Sequence, residues 1–182
     1  MNTFKKSLAV LCLALIPVFV FAQKTSKFPQ RNEIVEVENE NDPSMILEVF
    51  DCPVDGVSHY FLSVGHLGFG DEVVQVLFDP VFELFLPLGD SISEALETLK
   101  QLQALYKSEP GARMEVQGCL AFGIPNDKYE TVKVTFRKVL LTRFLEFSVQ
   151  REGYIRAAHV QKSDFGSLVT SMKLHHKMYP KK

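Results

Sequence analysis

Tryptophan is absent from the 182 residues, cysteine occurs three times, and beyond the first two dozen positions no apolar run is long enough to cross a bilayer. The first absence leaves fifteen phenylalanines as the main aromatic mass, so the core is expected to be built on Phe. The scarcity of cysteine excludes a disulfide-dense scaffold, in which cross-links stand in for a hydrophobic core. The third absence excludes a second helical membrane span, which takes about 20 apolar residues. Catalytic signatures are missing too: no G-x-S-x-G elbow, no H-E-x-x-H and no P-loop occurs. Gly65, Gly68 and Gly70 are spaced G-x-x-G-x-G ahead of a strand pattern. A phosphate cradle needs the N-terminus of a helix, so these glycines read as a hairpin or bulge.

What is present begins with a leader. Met1 to Lys6 carries two lysines and no acid, Ser7 to Phe21 is almost wholly apolar, and Ala22 precedes Gln23. That is the layout of a secretory signal peptide with cleavage near Ala22. Residues 1–22 are therefore expected to be removed, 23–32 to form a flexible lead-in, and 33–182 to fold as one domain with halves 33–110 and 111–182. The location implied is periplasmic or secreted. Cys12 leaves with the leader, and Cys52 and Cys119 remain. In an oxidising compartment they are candidates for a disulfide closing a loop of about 67 residues, worth roughly 4 kcal/mol at most. Two separate buried thiols are the alternative.

Hydrophobic periodicity divides the remainder. Alternation predicts strands over 34–38, 45–50, 57–66, 72–78 and 81–88. Ile92, Ala95, Leu96, Leu99, Leu102 and Tyr106 then fall at helical spacing, opened by a Ser91/Glu94 capping box and closed by Pro110-Gly111. Strands follow over 114–122, 129–139, 141–151 and 154–161. A terminal helix starts near Ser163 with Phe165, Leu168, Val169 and Met172 on one stripe. The expected fold is α+β: antiparallel sheet, or sheets, covered by two helices in the order strands–helix–strands–helix, with a pseudo-duplication of the unit. This element order is similar to that of the Whirly and PUR-type nucleic-acid-binding folds. No motif residue carries that likeness, and an exported chain is a poor candidate for nucleic acid.

Charge is divided unevenly. Residues 23–110 carry a net −11 and residues 111–182 a net +7, although the whole chain is −2. Such asymmetry points to an interaction surface. Arg113, Lys133, Arg137, Arg143 and Arg156 are the candidate binding residues, on an open sheet face that would take an acidic macromolecule. Cross-strand pairing with acids is the structural alternative, and association of acidic half with basic half is a third reading.

Candidate chemistry is sparse. Asp51 to Gly56 lacks calcium ligands at the required loop positions, since Pro53 occupies the third and Leu62 the twelfth. His175 and His176 are adjacent and so point about 100° apart on a helix. His59, His66 and His159 fall on separate strands. No cofactor and no metal is expected. Cys119 as a nucleophile would need a base such as His159 beside it. The leading expectation is a non-enzymatic binding module. A small hydrolase-like enzyme assembled from dispersed His, Asp and Cys residues is second, and nucleic-acid or anionic-polymer binding through the basic face is third.

Overall fold

The computed structural model describes residues 27–39, 42–65, 68–69, 83–151 and 153–179. The expected leader and the strand expected over 72–78 lie outside them. The strands are β1 (Asn32–Asn39), β2 (Asp42–Val54), β3 (Val57–Val64), β4 (Gly68–Phe69), β5 (Glu83–Gly89), β6 (Arg113–Ala121), β7 (Glu130–Val139), β8 (Thr142–Arg151) and β9 (Tyr154–Gln161). Helix α1 (Ile92–Ala104) runs into a 3-10 turn at Leu105–Lys107, and α2 (Lys162–Met178) follows β9.

The expected architecture is corrected. The molecule is mostly one curled antiparallel sheet of eight long strands, not sheets each covered by a helix in two repeated halves. Its order is β1-β2-β3-β5-β6-β7-β8-β9, with the two-residue β4 appended to β9. A short ladder joins what would have been the halves: Glu83, Leu84 and Phe85 of β5 pair with Ala121, Leu120 and Cys119 of β6. The helices pack on one another, and α2 lies more against β1 than against β8 or β9, its neighbours in sequence. A single core therefore runs through the molecule, from Val49, Leu62 and Leu86 through Leu99 of α1 to Val134, Phe147 and Phe165. The two helix-covered halves that a likeness to the Whirly and PUR-type folds would require are not formed, because the β5–β6 ladder joins all the long strands into one sheet.

Chain length alone requires the curl. From β3 to β9 the sheet spans five strand spacings, roughly 24 Å if flat. Only four residue steps separate Val64 of β3 from Gly68, which pairs with Ala157 of β9. Those steps reach at most about 14 Å, so β9 must bend back toward the end of β3. Local irregularities supply the bend. Within that span the β3–β5 register slips between Tyr60 and Phe61. At Gly118, β6 stops pairing with β7, and from Cys119 it pairs with β5. A Cβ on Gly118 would lie 2.8 Å from both Leu86 Cδ2 and Val132 Cγ2 and 3.0 Å from the Phe85 carbonyl oxygen. Only glycine lets the strands cross so closely there.

The elements themselves follow local chemistry. Ser91 Oγ accepts from the Glu94 amide at 3.2 Å, making the expected N-cap, and the Glu94 carboxylate reaches one residue further back to accept from the Asp90 amide at 2.8 Å. β2 continues to Val54, further than expected, because the turn is only Asp55-Gly56. Both residues have positive φ, 52° and 80°, the signature of a type I′ hairpin.

A second, smaller cluster covers the opposite face of the first strands. Phe50, Cys52, Phe61, Phe85, Cys119 and Ala121 are buried there beneath Phe28. Phe28 and Arg31, in the expected lead-in, are thus docked on the sheet, Phe28 being 2% exposed.

Candidate interaction surface

Four strands, β6 to β9, position the predicted basic residues, and register decides which of them share a face. Arg113, Lys133 and Arg137 lie on the outer face, opposite the core. Arg143 faces Lys138 and Arg156 faces Val149 across the ladder, positions of core-face parity. The five are therefore not one patch. The outer face also carries acids: Glu115 is the cross-strand partner of Lys133, and Glu146 accepts from Arg137 at 2.9 Å and lies 3.4 Å from His159 Nε2. Phe144 packs against the His159 ring at 4.7 Å between centroids. The middle of this face is charge-paired across strands.

Part of the positive excess stands at the β7–β8 turn. Val139 pairs with Thr142, so Leu140 and Leu141 form a two-residue apex. Val139, Leu140 and Leu141 are 58%, 88% and 96% exposed. Leu140 has φ of 54°, a conformation that costs a non-glycine residue roughly 1–2 kcal/mol. One rung behind, Lys138 and Arg143 stand directly opposite each other, a like-charge pair that destabilises a ladder. Arg137 adds a third cation on the other face. Apolar exposure, backbone strain and charge repulsion thus coincide in six residues, and the fold gains from none of them. Sequence reasoning divided the strands at Leu140 but missed the apex, because Val139-Leu140-Leu141-Thr142 contains no Gly, Asn, Asp or Pro. The available signal was an apolar run at the junction of two strands, bracketed by basic residues.

Arg31 is the other residue the sequence did not single out. Its guanidinium donates to both Glu48 oxygens, to Glu83 at 2.8 Å and to the Gly123 carbonyl at 2.8 Å, and it lies 4.5 Å from the Phe50 ring centroid. Ser63 donates to the same Glu83 oxygen at 2.7 Å. Burial alone would lower the Arg31 pKa, but the hydrogen bonds and charges of Glu48 and Glu83 raise it above the usual value. This cluster ties the N-terminal segment to β2, β5 and the loop after β6, and its work is structural.

The thiols do not meet. Cys52 and Cys119 are free and buried on β2 and β6. Three strand spacings, about 14 Å, separate those strands, and a bridge needs Cα atoms within about 7 Å. Burial first, then the Asp51 charge, pushes the Cys52 pKa up to about 12. Burial also raises that of Cys119, opposed by a hydrogen bond from the Asn126 amide. His159 lies on β9, three strands from Cys119, so the two do not form a nucleophile–base pair.

An open groove of about 780 Å³ is lined by residues of α1 and α2, including Gln103, Ser163 and Thr170, with Lys162 its single ionisable group. Among the described residues no cluster of His, Cys, Asp and Glu could hold a metal, and no helix is long and apolar enough to cross a membrane. No protein-family model, curated protein or solved structure matches the chain.

Proposed function

We propose that this chain is an exported, non-enzymatic binding module that takes an anionic macromolecular surface at the β7–β8 end of its sheet. The observation that carries the reading is the unbalanced positive charge there. Lys138 and Arg143 oppose each other with no acid in their rung, whereas Lys133 and Arg137 further back have Glu115 and Glu146 as cross-strand or hydrogen-bonded acidic neighbours. Export rests on the leader composition, and a native protein beginning at Met1 would refute it.

The test is retention on an anionic resin. Lys138→Ser/Arg143→Ser should elute at distinctly lower salt than the unsubstituted protein, and Lys133→Ser/Arg137→Ser should fall between them. Equal elution of all three would remove the reading. Self-association is favoured by one observation, the β1 edge, which pairs with no further strand among the described residues and bears Glu33, Glu36 and Glu38, where burial and then mutual repulsion raise the Glu36 pKa. Sedimentation equilibrium at low salt would show a dimer that dissolves as salt rises.

A further inference from the structure

The apex of the β7–β8 hairpin has no role within the fold, yet three unfavourable features converge on it. Local rules are broken where a site is needed elsewhere. We propose that Leu140 and Leu141 are a membrane anchor that inserts end-on into an anionic lipid bilayer, with Arg137, Lys138 and Arg143 at the headgroup phosphates. This rests on the anionic-surface reading above and names the surface.

Three observations select a bilayer over a protein cleft. First, the cations surround the apex. Arg137 projects from the outer face of the hairpin, and Lys138 and Arg143 sit at core-face positions beyond the core, all three exposed. A cleft reads one face of a hairpin, whereas cations on both faces behind an apolar point, Arg137 sharing its side with Glu146, fit a plane approached head-on. Secondly, the dimensions suit the interface. The apex extends one to two residues past the Val139–Thr142 rung, about 3–7 Å at strand rise, and interfacial apolar groups sit roughly 5–10 Å into the headgroup boundary. The basic rung lies one residue behind, where long side chains reach the phosphates while their stems follow the apolar tip. Thirdly, the side chains at the point are aliphatic and almost fully exposed, so insertion removes their whole apolar surface from water without prior rearrangement.

The experiment uses the leader-free chain with vesicles of phosphatidylcholine alone, or with phosphatidylglycerol admixed, followed by co-sedimentation. The unsubstituted protein should bind the anionic vesicles and leave the neutral ones in the supernatant. Leu140→Ser/Leu141→Ser should weaken vesicle binding by at least about 100-fold and leave retention on the anionic resin unchanged. Lys138→Ser and Arg143→Ser should each weaken vesicle binding about fivefold, and Arg137→Ser less, because its charge is already paired with Glu146. Failure to fold is not expected from replacing side chains this exposed. Leu140→Asn, which suits positive φ, serves as a second variant that loses binding while melting no lower than the parent. Retention on resin without vesicle binding overturns the anchor and spares the anionic-surface reading, and failure on both overturns both. Equal vesicle binding by the double leucine variant, or a dimer abolished by it, also overturns the lipid assignment.

Discussion

Replacing Arg31 by Met should destabilise the fold by about 3 kcal/mol, and the structure shows why. Its guanidinium holds Glu48, whose side chain is 6% exposed, and Glu83, whose side chain is 24% exposed. Arg31→Met removes the charge and five-donor fork but keeps apolar contact over Phe50 and Phe85. Glu83 retains Ser63 and some water. Glu48 is left as a buried carboxylate without its cation. Breaking a buried pair by deleting one partner costs about 3–5 kcal/mol, and the partial exposure of Arg31 places this case at the lower end. The lost cation–π contact, roughly 1 kcal/mol, is largely offset by sulfur–aromatic contact. The discriminating variant is Arg31→Met/Glu48→Met, which removes both charges and should recover to within about 1 kcal/mol of the parent. Urea unfolding followed by circular dichroism reads both, with the slope unchanged and the midpoint shifted. In a domain this size about 3 kcal/mol corresponds to a melting shift of roughly 6–12 °C. A single variant costing under about 1 kcal/mol, or a double variant no better than the single, would refute the view that Glu48 depends on Arg31.

Gly118→Ala should cost about 2–4 kcal/mol, since its methyl group meets Leu86, Val132 and the Phe85 carbonyl inside the sheet. Gly118→Val should leave little soluble protein, and an alanine variant melting with the parent would show that the strands can part there. Above pH 7, stability should hold to about pH 9 and then fall. Cys52 ionises near 9 when unfolded but only near 12 when folded, so the unfolded state loses its proton first. The loss is about 1.4 kcal/mol per pH unit between those values, and the raised pKa values of Cys119, Tyr60 and Tyr106 add to the fall. A melting temperature unchanged from pH 8 to pH 11 would contradict this burial.

Most strands and both helices could be read along the sequence, because alternation and helical stripes are local properties. Leu145, Phe147 and Val149 declared their inward face, and Ser91 with Glu94 declared the start of α1. The assembly was not legible, because pairing across a sheet is non-local. Nothing in Leu84 or Leu120 announces that they are partners across a helix, and the stripe of Phe165 to Met172 fits β1 as readily as β9. The site was legible in part. Parity along one strand put Lys133 and Arg137 on one outward face, whereas Arg113, Arg143 and Arg156, on other strands, needed the register. Arg31 looked like part of a tail because its partners lie 17 and 52 positions onward.

The contact between α2 and β1 carries a consequence for biogenesis. Among the described residues α2, the furthest along the chain, rests on β1, the earliest strand, and β9 clasps a short strand some ninety residues before it. A chain cut before α2 therefore leaves the interior that Phe165, Leu168 and Met172 fill open to water, and one cut before β9 also leaves β4 without its partner. Truncated products of this gene should be cleared by proteases instead of persisting as native-like fragments.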